Sequence, residues 1–107
     1  GIGLEASNGA SFGLVRSVSA STTITTIDYA ILANSTAAAV TVSLPEASTV
    51  TGRIFFVKRV NAGANNVVID PNAAETIDGA ATHTLSAQWA RVEFISNGSA
   101  WFIIAHQ

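Results

Sequence analysis

Charge is scarce in this 107-residue sequence, because Asp, Glu, Lys and Arg together make up 11% of it while apolar residues make up 49%. An ordinary soluble domain carries about 25% charged residues. Cysteine is absent, which excludes disulfides, a thiol nucleophile and a cysteine-based metal site. Apolar runs that approach the roughly 18 residues of a membrane helix are also absent, so we expect no membrane insertion.

Basic residues number only five against seven acidic ones, which leaves a net charge of −2. Sequence-independent binding to nucleic acid needs a basic face, so we expect no nucleic-acid partner. Methionine is missing even at residue 1. We therefore expect the chain to be a segment of a longer protein or a processed product.

The low charge has two explanations. The chain is either a stable β-protein with a plain Ser, Thr and Ala surface, or a subunit that buries part of its surface against copies of itself. We favour the second explanation and expect self-association.

Short strands separated by turn signals run along most of the chain. Val40–Leu44 alternates between apolar and polar residues, and Asp78-Gly79 and Asn97-Gly98 are strong turn signals. About eight strands at intervals of about ten residues predict a sandwich or a barrel. The links are too short for helical crossovers, which predicts mostly antiparallel pairing. The predicted fold is all-β, a small antiparallel β-sandwich or jelly-roll-like domain over residues 21–107, after a connector or arm at residues 1–20.

The second half of the chain resembles a β-module of tailed-bacteriophage fibre and virion proteins. The resemblance covers roughly residues 30–105. The segments that carry it are Thr76–Gln88 (TIDGAATHTLSAQ), Ser96–Ser99 (SNGS) with Val92 and Trp101, and, upstream, Val40–Pro45, Gly52-Arg53 and Val67–Pro71. The sequence departs from the usual pattern at His83 and Trp89, where Tyr or another aromatic residue is commoner.

The resemblance implies an all-β domain in the virion, commonly as a homotrimer. The expected partners are copies of this chain, other virion proteins on the N-terminal side and a host cell-surface glycan. Three roles stay open from sequence: a fibre module that supports trimerisation, a non-catalytic carbohydrate-binding tip, and a capsid decoration or head-fibre protein.

Aromatic residues are the first candidates for contact with a ligand. Trp89 opens its strand, so we expect it to be partly exposed and able to stack on a sugar, whereas Trp101, Tyr29 and the phenylalanines are expected to fill the core or an interface. His83 is a second candidate. If His83 lies at a subunit interface, its protonation at about pH 6 would alter assembly.

Three of the five basic residues lie on one predicted strand, namely Arg53, Lys58 and Arg59. We expect solvated strand ends, and the alternative is that Arg53 and Arg59 contact an anion or a polyanionic glycan. A receptor-binding groove would use the loops at residues 61–65 and 71–75, which makes Asn65 the last candidate.

Catalytic, metal and cofactor signatures are weak. His83 and His106 lack the spacing of a metal site. The carboxylates that a glycosidase would need in pairs are scattered. We expect no enzyme activity, no metal and no cofactor. The scattered carboxylates are Asp28, Glu46, Asp70, Glu75, Asp78 and Glu93.

Overall fold

The computed structural model describes residues 13–107, and the regular secondary structure of these residues is almost entirely β-strand. A short 3-10 helix, Ala47–Thr49, lies between the fourth and fifth strands. The predicted all-β class is therefore confirmed. The strands are β1 Leu14–Val18, β2 Thr22–Thr23, β3 Asp28–Ala33, β4 Val40–Ser43, β5 Ile54–Arg59, β6 Val67–Asp70, β7 His83–Leu85, β8 Arg91–Ser96 and β9 Trp101–His106.

The strands form two sheets. The larger sheet has five strands in the order β9-β8-β5-β3-β1, and the smaller sheet has four in the order β2-β4-β6-β7. From β1 to β6 the chain passes from one sheet to the other at every connection. Neighbouring strands formed from this part of the chain are therefore separated along the sequence by one strand of the other sheet.

This alternation makes both sheets mixed, and the prediction of mostly antiparallel pairing is wrong for four pairs. The β1–β3, β3–β5, β2–β4 and β4–β6 pairs are parallel. Parallel neighbours need a long crossover, and here a strand of the opposite sheet supplies it in place of a helix. The β5–β8, β8–β9 and β6–β7 pairs are antiparallel.

One hydrophobic core receives side chains from both sheets, which gives a β-sandwich-like arrangement. The rings of Phe55, Phe94 and Trp101 meet in it with centroids 5.5 to 6.3 Å apart. Trp101 is fully buried, as expected. A core Phe→Ala substitution costs about 3–5 kcal/mol, so this aromatic cluster is a principal source of stability.

Both predicted tight turns are present. Asp78 and Gly79 have φ angles of 51° and 80°, and Ile77 and Ala80 exchange two backbone hydrogen bonds across them. Asn97 starts the β8–β9 loop, where its side-chain oxygen accepts hydrogen bonds from the amides of Ser99 and Ala100. Asn and Gly tolerate positive φ, and Gly98 uses this freedom at +98°.

The predicted arm at residues 1–20 falls partly outside the described residues, which begin at Gly13. Within the described part, Leu14–Val18 is the edge strand β1 of the larger sheet. Arg16 holds it in place, because Nε and Nη2 donate to the Asp28 carboxylate at 3.0 and 2.8 Å. Among residues 13–107, no helix has the length and hydrophobicity needed to cross a membrane.

Asp28 anchors β1 from a buried position at the start of β3. Burial by itself would raise the pKa of this carboxyl. The hydrogen bonds from Arg16 and Thr25 outweigh burial, so the pKa of Asp28 lies below its usual range. Asp28 is therefore an ionised structural group that ties the edge of the larger sheet to its interior.

Candidate functional site

Exposed apolar side chains are concentrated on one side of the molecule. Seven large ones in the described region are between 39% and 62% exposed. All seven lie in strands of the larger sheet or within two residues of one, and the smaller sheet contributes none. They are Leu14, Val15, Ile27, Ile54, Trp89, Phe102 and Ile104.

Strand register places several of these residues side by side on the outer face of the larger sheet. Ile54 of β5 pairs with Ile95 of β8, which in turn pairs with Phe102 of β9. A second row of side chains crosses β1, β3 and β5, where Val15 and Phe56 each pair with Ala30 of β3. We call Val15, Ile54, Phe56, Ile95, Phe102 and Ile104 the apolar face.

An open groove of about 880 Å³ continues the apolar face at the end of the sheet where β1, β3 and β5 begin. Most of its lining is apolar, and Arg53, Glu93 and Tyr29 add polar groups. The other large apolar side chains that line it are Leu14, Ile27 and Ile54.

Arg53, a predicted ligand residue, forms part of the wall of this groove. Its Nη1 and Nη2 donate to the carbonyl oxygens of Thr26 and Asp28 at 2.7 and 2.9 Å. Its guanidinium also lies 4.9 Å from the centroid of the Phe55 ring. Arg53 therefore holds the turn before β3 in position.

Trp89 occupies the opposite corner of the larger sheet. It is 56% exposed, which confirms the prediction of partial exposure. Its φ of +70° is left-handed, which costs an ordinary residue about 1–2 kcal/mol. The backbone holds this geometry because the Trp89 amide donates to the carbonyl of Arg59 at 2.8 Å.

Two cations lie beside Trp89. The ammonium of Lys58 lies 5.6 Å from the centroid of the Trp89 ring, within the range of a cation–π contact. Arg91 is the register partner of Lys58 on the adjacent strand, and its Nη1 lies 3.7 Å from a carboxylate oxygen of Glu93. We call Trp89, Lys58 and Arg91 the basic corner.

The smaller sheet presents a different outer face. Thr41, Val68 and Thr84 form one row across β4, β6 and β7, and Ser43 pairs with Asp70 in the next row. Only Val68 in these rows is apolar, and it is half-buried. This surface is hydroxyl-rich and is suited to contact with water.

Arg59 overturns the expectation of a solvated strand end. Its side chain is completely buried, because it follows Phe55 and Val57 on the inner face of β5. One nitrogen, Nη2, donates to the carbonyl of Gly63 at 2.7 Å. Nε and Nη1 have no hydrogen-bond partner among the described residues. A surface ligand therefore cannot reach Arg59 in this conformation.

Asn65 connects two loops. Its side-chain amide donates to the carbonyl of Thr36 at 3.2 Å, and its backbone carbonyl accepts a hydrogen bond from the Ser35 hydroxyl at 2.7 Å. Asn65 thus fixes the loop before β6 against the loop after β3.

His83 lies half-buried on β7, at the edge of the smaller sheet. Its ring centroid is 6.5 Å from that of His106, at the end of β9, and the rings meet edge to face. Burial lowers the pKa of His83, proximity to His106 lowers it further, and Asp78 opposes both effects. His83 is therefore biased towards the neutral imidazole.

The carboxylates considered for catalysis are dispersed and several have structural partners. Glu75 accepts from the amide of Ala47, Asp78 from the amide of Ile103, and Glu93 pairs with Arg91. Asp28 is held by Arg16. Among residues 13–107, no group of three or more His, Asp or Glu residues is arranged to hold a metal ion.

No family model and no curated protein matches this sequence. The five predicted ligand residues do not form one site: Trp89 lies at the basic corner, Arg53 at the groove, Arg59 in the core, His83 at a sheet edge and Asn65 in a loop.

Sequence reasoning missed the apolar face. The signal was present in the adjacent pairs Phe55-Phe56 and Ile103-Ile104, which put apolar residues at both odd and even positions of a strand. In a strand, alternate side chains point to opposite faces, so such a run makes both faces of a sheet apolar.

Proposed function

We propose that this chain is a self-associating structural module of a bacteriophage virion, a fibre or surface component that acts as a homotrimer. The observation that carries the proposal is that all seven exposed large apolar side chains of the described residues lie in strands of the larger sheet or within two residues of one. Contiguous apolar patches of this kind mark interaction surfaces on soluble proteins.

The strands of the larger sheet support an interface. Continuous apolar runs are typical of strands that are covered on both faces. Residues 102–105 of β9 (FIIA) and 54–57 of β5 (IFFV) form such runs, although the core covers only one face of each strand. Another surface that packs on the apolar face would complete the pattern.

A second copy of the chain is the occupant that the charges favour. Glu93 is the one carboxylate in register with the apolar face, where it pairs with Phe56, and its charge is paired with that of Arg91. The ion pair with Arg91 reduces the repulsion that the Glu93 carboxylates of two copies would otherwise feel across this face. Self-association would also explain why a chain of this size needs only 11% charged residues.

The virion assignment depends on the resemblance of the Thr76–Gln88 segment and of the Asn97-Gly98 hairpin to phage fibre modules. On this proposal the chain acts in the phage particle and contacts other virion proteins on its N-terminal side. A capsid decoration or head-fibre protein is the alternative location, and it uses the same self-associating face.

Solution mass tests the proposal. Light scattering coupled to size exclusion, over a hundredfold dilution, should give a constant mass of three chains. A mass of one chain at every concentration would overturn the proposed self-association. A constant mass of two chains would retain the interface and reject the trimer.

Host-glycan attachment is a second candidate function, and the exposure of Trp89 is the observation that favours it. A trimeric module can carry such a site on each subunit. Assembly and attachment are therefore compatible, and they are tested separately.

A further inference from the structure

We infer that the basic corner, formed by Trp89, Lys58 and Arg91, binds an acidic saccharide whose sugar ring stacks on Trp89 and whose carboxylate pairs with Lys58. This inference deepens the proposed attachment role and rests on it. It is independent of the proposed trimer.

The backbone at Trp89 is the first observation behind the inference. A bulky residue at a φ of +70° is strained, and Gly or Asn adopts this conformation more easily. Full burial of the indole ring does not offset the strain, because more than half of the surface of Trp89 is exposed. Strain of this kind is concentrated at functional sites.

The distribution of basic side chains is the second observation. Arg16 is bound to Asp28, Arg53 to two carbonyl oxygens and Arg59 is buried. The other two of the chain's five basic residues are Lys58 and Arg91, and they are register partners. Arg91 is paired with Glu93 at 3.7 Å, so Lys58 is the cation of the basic corner that has no carboxylate partner among the described residues.

The two observations together specify the ligand class. An exposed indole provides a flat surface for the C–H face of a sugar ring, and an ammonium provides a mobile donor for a carboxylate. Lys58 lies 5.6 Å from the Trp89 ring centroid, so one monosaccharide can meet both groups. A neutral sugar would use the ring alone and would leave the Lys58 ammonium without a carboxylate partner.

Isothermal titration calorimetry with matched pairs of sugars tests the inference on the full chain. The pairs are tetragalacturonate with its methyl ester, and sialyllactose with lactose. We expect at least one acidic member to bind about tenfold more tightly than its neutral counterpart, which corresponds to one charge-assisted contact. Lys58→Gln should remove this preference.

Variants of Trp89 separate binding from folding. Trp89→Asn keeps a residue that tolerates the left-handed backbone, so the protein should remain folded while affinity falls about tenfold or more. Trp89→Phe should recover part of the affinity because it restores an aromatic ring. Thr84→Ala, on the outer face of the smaller sheet, is the matched control and should bind like the wild type.

Each contrary result has a defined meaning. Equal binding of acidic and neutral sugars would overturn the acidic class and leave the attachment role standing. Acidic preference that survives in both Lys58→Gln and Trp89→Asn would overturn the assignment to the basic corner. If none of the four sugars binds at millimolar concentration, both the inference and the attachment role fail, whereas the solution mass still decides self-association.

Discussion

The outer faces of the two sheets differ in composition, although both sheets share the same core. On the larger sheet, Ile54, Ile95 and Phe102 lie side by side across three strands, with the basic corner at one end and the groove at the other. On the smaller sheet the equivalent surface is formed by rows such as Thr41, Val68 and Thr84.

This difference identifies the surface of the molecule that is available to bind a partner. Both sheets need an apolar inner face, because that face forms the core. The outer face has no such requirement, so an apolar outer face is an addition to what the fold demands. The polar outer face of the smaller sheet shows that the same chain can stabilise a sheet without an apolar outer face.

A lysine within the apolar face should have the largest effect. Phe102→Lys places a charge at a position that is 43% exposed in the isolated chain, so the subunit should still fold. Burying that charge in an interface is costly, and we expect the subunit dissociation constant to rise about 100-fold or more. Light scattering over a dilution series measures this shift.

Thr84→Lys is the matched control because Thr84 is an exposed residue of the smaller sheet. It should leave the mass unchanged at all concentrations. If the two lysine variants dissociate equally, or if neither dissociates, the apolar face is not the interface and the contrast between the outer faces loses its functional meaning.

Ion pairs are a second difference between the two sheets, since those formed among residues 13–107 lie in the larger sheet. Asp28→Asn removes the carboxylate charge to which Nε and Nη2 of Arg16 donate hydrogen bonds. We expect the free energy of unfolding to fall by about 2 kcal/mol, as measured by urea denaturation. Asp70→Asn on the smaller sheet should change it by less than about 0.5 kcal/mol.

The same pair predicts a pH dependence. The pKa of Asp28 is lower in the folded state than its usual value, so the unfolded state takes up protons first as the pH falls. The stabilisation is complete above the ordinary carboxyl pKa of about 3.9 and is lost as the pH falls through the folded value. Asp28→Asn should lack this loss, and a wild-type acid profile identical to that of Asp28→Asn would contradict the prediction.

Sequence patterns predicted the strands and turns well because these depend on local residues. Alternation at Val40–Leu44 and the Asp78-Gly79 and Asn97-Gly98 dipeptides are such local signals. The parallel pairing was missed because it depends on which sheet each strand joins, and neighbouring residues do not encode that choice. Arg59 was misplaced for a different reason: alternation puts it on the same face as Phe55 and Val57, but an arginine at a strand end was expected to reach water.

Arg59 also makes the inner faces differ. The smaller sheet presents Val40, Val42, Val67, Ile69 and Leu85 to the core, whereas the larger sheet ends its inner row with a buried guanidinium. Two of its nitrogens lack partners among the described residues. Apolar replacement of buried ionic groups is often stabilising, so Arg59→Met should raise the free energy of unfolding by about 1 kcal/mol.

Arg53→Met is the control, because it should change the free energy of unfolding in the opposite direction. Arg53 lies one residue before the same strand, β5, but its nitrogens donate to the carbonyls of Thr26 and Asp28. Its replacement should therefore lower the free energy of unfolding by about 1–2 kcal/mol. If urea denaturation shows Arg59→Met to be as destabilising as Arg53→Met, the buried guanidinium is compensated inside the core. The inner faces of the two sheets would then be equally well satisfied, and only the outer faces would distinguish them.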